Sequence, residues 1–255
     1  IYYPSSSATN EFNGNVIDSN DFGSYTYVTY IYYFNGTTNN NRITNNRIYN
    51  ANYSSYYGYI YGLANMYYFN LQCNNNLIAN NVGYYGILSL YCYSYNSGSY
   101  QAEFKQNTIQ QEGQNSGYPY HYTYALYVYP YYHTKVNLIG NLVDIQNSYG
   151  AYPAYTYNTS GSTPYKWDYN NYYLKNISYQ YWYCPNGSAS DLSSWINLGF
   201  AGNNETGHLP VYRNISNNDF TIDVFELQNK VPNITSLFPS NNRYSGSSNM
   251  EDVNK

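Results

Sequence analysis

The stretch NNNLIANNV, Asn74 to Val82, sets a Leu-Ile pair between clusters of asparagine. The same signature, Asn-x-apolar, recurs as NVI at Asn15, NRI at Asn46, NLI at Asn76, NTI at Asn107, NLI at Asn137 and NYY at Asn171, in steps of 31, 30, 31, 30 and 34 residues. A second NRI at Asn41 competes with Asn46 for its place. A nearly fixed period of this size marks units that stack on one another and share a core.

Each repeat holds a second element, a tyrosine-rich run: YTYVTYIYY from Tyr25, YYGYIYG from Tyr56, YYGILSLYCY from Tyr84, YTYALYVY from Tyr122 and YPAYTY from Tyr152. β-Branched and aromatic residues alternating between Gly, Asn and Ser predict strands. No segment keeps a 3.6-residue apolar period over three turns, so almost no helix is expected. Together these features predict an all-β right-handed parallel β-helix of about seven coils with a period near 31 residues. Its coils would occupy residues 1–230, with an expanded closing loop at about 182–210 and a polar tail or linker at 231–255.

Coils stacked at about 4.8 Å place like residues above like. Asparagine tolerates the left-handed backbone of a sharp corner, and its amide can bond the asparagine one coil away. Asn15, Asn46, Asn76, Asn107, Asn137 and Asn171 are therefore the predicted ladder, with the apolar residue two positions on pointing inward.

Composition narrows the function. Only 9% of residues are charged, against about 25% in an ordinary domain, while Tyr and Asn number 42 each. A net charge of -4 with ten scattered Lys and Arg excludes the clustered basic face that nucleic acid requires; Arg42 and Arg47 read as solvated surface. No apolar run approaches the roughly 18 residues of a membrane span. The opening IYYPSSS lacks a Met and a signal-like apolar segment, as expected of a mature or excised piece. Cys73, Cys92 and Cys184 have no metal-ligand spacing; buried free thiols are the expectation, with a Cys73–Cys92 disulfide the alternative if their strands are neighbours. No cofactor or metal is expected.

The pattern NxIxNN followed by YGIxL resembles right-handed parallel β-helix repeat proteins, especially the large secreted and cell-surface ones of Bacteroidota. DYNNYY, YQYWY, LSSWINLGFAGNNETGHLP and NNDF within residues 168–220 are similar to the closing coils of that group, with Leu192 and Trp195 before a Gly-rich stretch. The acidic positions common near the end of such domains are Asn203, Asn204 and Asn218 here, and Tyr replaces many aliphatic residues. The resemblance covers roughly residues 12–225 and implies a fold and an extracellular or cell-surface address more than an activity.

Because parallel β-helices include polysaccharide lyases and hydrolases, the acids and bases of this chain are candidate catalysts. Glu112 and Asp144 fall about one coil apart, as do Lys105 and Lys135, so the four are candidates to line one face. No adjacent Asp pair and no GxSxG elbow occurs, and His121, His133 and His208 stand isolated. Tyrosine is the stronger signal, since 42 buried hydroxyls would need 42 partners. Outward columns of Tyr are expected, and Tyr59, Tyr61, Tyr91, Tyr93, Tyr127 and Tyr129 are the candidate contact surface. Strand parity does not sort them all: in YPYHYTYALYVY, Tyr122 and Leu126 fall on one nominal face.

An open coil at either end exposes unpaired backbone, and neither terminus suggests a capping helix. The expectation is a non-catalytic extracellular structural or adhesive module, a filament or surface-fibre subunit whose partners are copies of itself, flanking domains of a longer chain, or glycans. The alternative is a polysaccharide-binding or polysaccharide-degrading protein.

Overall fold

The structure, a computed structural model, describes residues 10–18, 21–22, 26–32, 41–53, 58–66, 70–94, 101–113, 118–130, 135–157, 165–198, 205–210, 212–214, 217, 219–222, 244–245 and 249–250. His133, Asn203, Asn204, Asn218 and most of the expected tail lie outside them.

The chain winds into a parallel β-solenoid with three sheets. Sheet one stacks Glu11–Asn13, Asn41–Thr44, Leu71–Asn74, Gln101–Lys105, Lys135–Ile139 and Tyr165–Asp168. Sheet two stacks Val16–Asp18, Arg47–Tyr49, Leu77–Ala79, Thr108–Glu112, Leu142–Gln146 and Asn171–Lys175. Sheet three begins with the longer strands Thr26–Tyr32, Tyr59–Met66, Gly86–Ser94, Tyr122–Pro130 and Gly150–Thr156. It ends with Tyr179–Gln180, Trp182–Cys184 and the antiparallel Gly187–Ala189. Six strands in each of the first two sheets make six coils, where about seven were expected, because the chain leaves the solenoid after Cys184. No helix among the described residues is long and apolar enough to cross a membrane.

The core is a set of columns. Sheet one contributes Phe12, Ile43, Cys73, Phe104, Leu138 and Trp167 in register. Sheet two contributes Ile17, Ile48, Ile78, Ile109, Val143 and Tyr172. Leu63, Leu90, Leu126 and Ala154 face them from sheet three. The three cysteines are buried and free.

Two corners use the left-handed conformation. Between sheets one and two, Gly14, Asn45, Asn75, Gln106, Gly140 and Tyr169 have φ of 70, 58, 57, 56, 66 and 59°. At the far end of sheet two, Asn50, Asn80, Asn147 and Asn176 have φ of 56, 48, 53 and 55°. Asparagine supplies six of these ten turns because its short amide makes positive φ tolerable and bonds locally.

The residue after the first corner points inward and builds the buried ladder. Nδ2 of Asn15, Asn46, Asn76, Asn107 and Asn141 each donates at 2.9 Å to Oδ1 of Asn46, Asn76, Asn107, Asn141 and Asn170 in turn. Each of those oxygens also accepts the backbone N–H of the preceding rung, at 2.9–3.1 Å. The second proton of each interior amide goes to a carbonyl one coil back, as from Asn107 to Cys73 at 2.9 Å. Every lone pair and proton of an interior rung is thereby used.

Asn15, Asn46, Asn76 and Asn107 stand where expected, but the next two rungs are Asn141 and Asn170, not Asn137 and Asn171. Asn137 sits inside a sheet-one strand opposite Glu103 and Lys166, because the fourth repeat is longer and its step is 34 residues. Asn171 follows the final rung, where its side chain bonds Thr206 and the backbone of His208.

The C-terminal end is covered, contrary to the expectation of an open coil. Trp195, on the helix Leu192–Asn197, stacks on Trp167 at 4.4 Å and 14° and lies beside Trp182. Asp191 caps this helix through the Ser194 amide. Residues 205–210 add a further partial rung, in which Thr206 bridges Asn171 and Glu205 accepts the last ladder amide at 3.0 Å.

Candidate functional site: the tyrosine face

The outer surface of sheet three is built from tyrosine. Each long strand carries Tyr at alternate positions on one or both sides of a bend at Val28, Gly62, Ser89, Ala125 and Pro153, where the ladder pairing skips one residue. That bend sets Ala125 and Leu126 both inside, which is why parity placed Tyr122 and Leu126 together. A Cβ on Gly62 would lie 2.7 Å from the Ser89 carbonyl, so the bend is too tight there for a side chain.

In-register stacking turns alternate tyrosines into columns. One runs Tyr91, Tyr127, Tyr155 and Tyr183, with centroids 5.0, 4.9 and 5.1 Å apart. Tyr61 meets Tyr91 edge-on at 5.3 Å and Tyr27 at 4.4 Å. A second column joins Tyr93, Tyr129 and Tyr157 at 4.9 and 5.0 Å. Tyr124 and Tyr152 form the tightest pair, at 4.2 Å and 15°. Tyr59 stands in a neighbouring row beside Tyr85 at 6.2 Å. All six candidate contact tyrosines are thus on one sheet, half-buried, and the structure adds Tyr27, Tyr124, Tyr152, Tyr155, Tyr157 and Tyr183. Leu88 and Ala64, outward by register, are buried among these rings.

The strands of this sheet contain no Asp, Glu, Lys or Arg. Burial, reinforced by neighbouring phenols, raises the hydroxyls of Tyr91 and Tyr124 well above the usual range and pushes Tyr127 up to about 12. The face is therefore neutral at any physiological pH. Where rings stack with small interplanar angles, their flat sides are spent on each other, and solvent meets ring edges and hydroxyls.

The charged candidates do not share a face. Glu112 and Asp144 are on sheet two, two positions apart in register, whereas Lys105 and Lys135 are on sheet one. Lys135 pairs with Gln101, at the opposite end of the strand from Lys105, and Lys105 bonds Glu103 at 2.7 Å. Glu112 accepts the amide of Asn147. His121 lies 3.2 Å from Ser148 Oγ, but both are buried, and Ser148 itself donates to backbone carbonyls. His208 contributes only backbone contacts to Asn171. Among the described residues no group of three His, Cys, Asp or Glu could hold a metal.

Three buried ionisable groups do predict a pH response. Burial pushes Glu205 up to about 8, and pushes Asp144 up to about 7 against hydrogen bonds from Gln146 and Tyr212. Burial lowers His121 to about 4. Above the normal carboxylate range the folded chain keeps two protons that the unfolded chain has lost, so stability falls as pH rises toward 7 and 8. His121 acts oppositely only below its normal value of 6.5, where the unfolded chain takes up a proton first. Between pH 6.5 and 8 the carboxyls act alone, and the expected loss is on the order of 2 kcal/mol. Urea titrations across this range check it: Glu205→Gln should remove most of the slope, and an unchanged slope would refute the assignment.

No family model, no curated protein and no solved structure matches the chain. The resemblance noted in the sequence therefore rests, as far as shown, on the parallel β-solenoid fold.

Proposed function

We propose that the chain is a non-catalytic structural or adhesive module that makes its contacts laterally through the tyrosine face of sheet three. A secreted or cell-surface address, as in the Bacteroidota proteins it resembles, belongs to the same proposal. The observation that carries it is the segregation of residues: half-buried tyrosines gather on a sheet without charges, while charged side chains occupy sheets one and two. Tyrosine is a preferred interface residue because it offers a rigid apolar body and a polar tip. With the C-terminal end covered by Trp195 and Glu205, a lateral contact fits better than end-to-end stacking, and copies of the chain are the first expected partner.

Sedimentation velocity over a wide concentration range tests this reading. The native chain of 29.6 kDa is expected to associate, and Tyr61→Thr/Tyr91→Thr/Tyr127→Thr to remain monomeric with its circular dichroism unchanged. A monomeric native chain that no immobilised polysaccharide retains would end the proposal. Retention of a monomer on polysaccharide, lost in the triple variant, would instead establish the glycan-binding alternative.

A further inference from the structure

The tyrosine columns hold neighbouring phenols at contact distance on successive coils, and contact is what oxidative coupling of phenols requires. We infer that the pairs Tyr124–Tyr152 and Tyr127–Tyr155 are sites of dityrosine formation, joining strand Tyr122–Pro130 covalently to strand Gly150–Thr156 under peroxide and a haem peroxidase. The two pairs have centroid separations of 4.2 and 4.9 Å and interplanar angles of 15 and 9°. They are the flattest and closest stacks between these two strands, and each partner occupies an equivalent place in the register. The four rings are half-buried, so part of each meets solvent, where an oxidant can draw electrons from it while packing holds the rings in place.

The chemistry balances with one peroxide per bond. Each phenol gives one electron and its hydroxyl proton to the peroxide-oxidised haem, and hydrogen peroxide is reduced to two waters. The two phenoxyl radicals join through ring carbons ortho to oxygen. Each displaced ring hydrogen then moves to oxygen as the ring becomes aromatic again, so the chain loses two hydrogen atoms in all. Packing presets the approach of the two rings, which in an unfolded chain must find each other by diffusion. The product is a covalent tie between adjacent coils on the face proposed for contact, although its formation does not depend on that contact.

The test treats dilute folded chain with a haem peroxidase and limiting hydrogen peroxide, beside the same chain in urea. Dityrosine fluorescence and intact mass are followed on the monomer, and proteolysis locates the joined peptides. The folded monomer is expected to lose two hydrogen atoms per bond about tenfold faster than the unfolded one, with residues 122–130 linked to 150–156. Tyr124→Phe/Tyr127→Phe keeps the ring stacks but not the hydroxyls and should lose most of this coupling. Tyr152→Phe/Tyr155→Phe should do the same from the other strand, so misfolding of one variant leaves the other as the test. Dityrosine confined to covalent dimers, equal rates in folded and unfolded chain, or undiminished coupling in both variants would overturn the inference.

Discussion

Asn107→Leu is expected to destabilise the chain by about 4 kcal/mol, or to prevent folding altogether. The side chain donates to Asn141 Oδ1 and the Cys73 carbonyl, and accepts from both the backbone and the side chain of Asn76. Leucine fills a similar volume but takes the acceptor from the Asn76 backbone N–H and from one Asn76 amide proton, and the side-chain donor from the Cys73 carbonyl, at about 1–3 kcal/mol for each buried group left unsatisfied. Typical domains have only about 5–15 kcal/mol to lose. Asn15→Leu removes a half-buried terminal rung whose groups can turn to water, and should cost about 1 kcal/mol. Denaturant titration of the two variants decides the matter: equal losses would show that rungs act independently of burial, against the account given above.

Trp195→Ala is expected to cost about 3–5 kcal/mol, the range for a large buried aromatic. Its ring is fully buried, stacked on Trp167 and adjacent to Trp182 and Tyr172, so alanine would leave a cavity over the last coil that the short helix cannot collapse to fill. A second effect follows from position. Loosening the helix and residues 205–210 uncovers the backbone of the final rung, and the variant should associate where the parent does not under matched dilute conditions. Denaturation and sedimentation measure the two effects separately. A loss below about 1 kcal/mol with unchanged sedimentation would mean that Trp195 does not seal the end.

The solenoid was legible because its physics repeats. A buried Asn must find a partner one coil away, so Asn15, Asn46, Asn76 and Asn107 keep their spacing, and the apolar residue two positions on keeps its place in the core. The ladder was misread where a loop changed length. A constant period favours Asn137, but only Asn141 follows a left-handed corner, at Gly140, and the local cue NLV at Asn141 repeats the same signature. That tyrosines would form outward columns was also readable. Which of them face outward was not, since a one-residue bend at Ala125 inverts the alternation. The covered C-terminal end was missed for a different reason: six residues of helix carry too little periodicity to be seen, and Trp195 caps the core through contacts far away in sequence. Lys105 and Lys135 are close in spacing yet opposite in strand position, which only the register reveals.

The asparagine ladders also have a direction. In the buried ladder every rung-to-rung bond donates toward the C-terminal coils, and the row ends on the carboxyl of Glu205. At the corners the sense is reversed: Asn75 donates to Asn45 and Asn45 to Asn13, Asn80 to Asn50 and Asn50 to Asp18, and Asn176 to Asn147. Rows of aligned amides add their dipoles along the axis as the peptides of a helix do, and here the inner and outer rows point oppositely. Their fields oppose, so coils can be added without a polarisation growing in proportion to length, and each row meets an acceptor at the end toward which its donors point. A chain with so few charged side chains to screen such a field thus limits it through the opposed orientation of its amides.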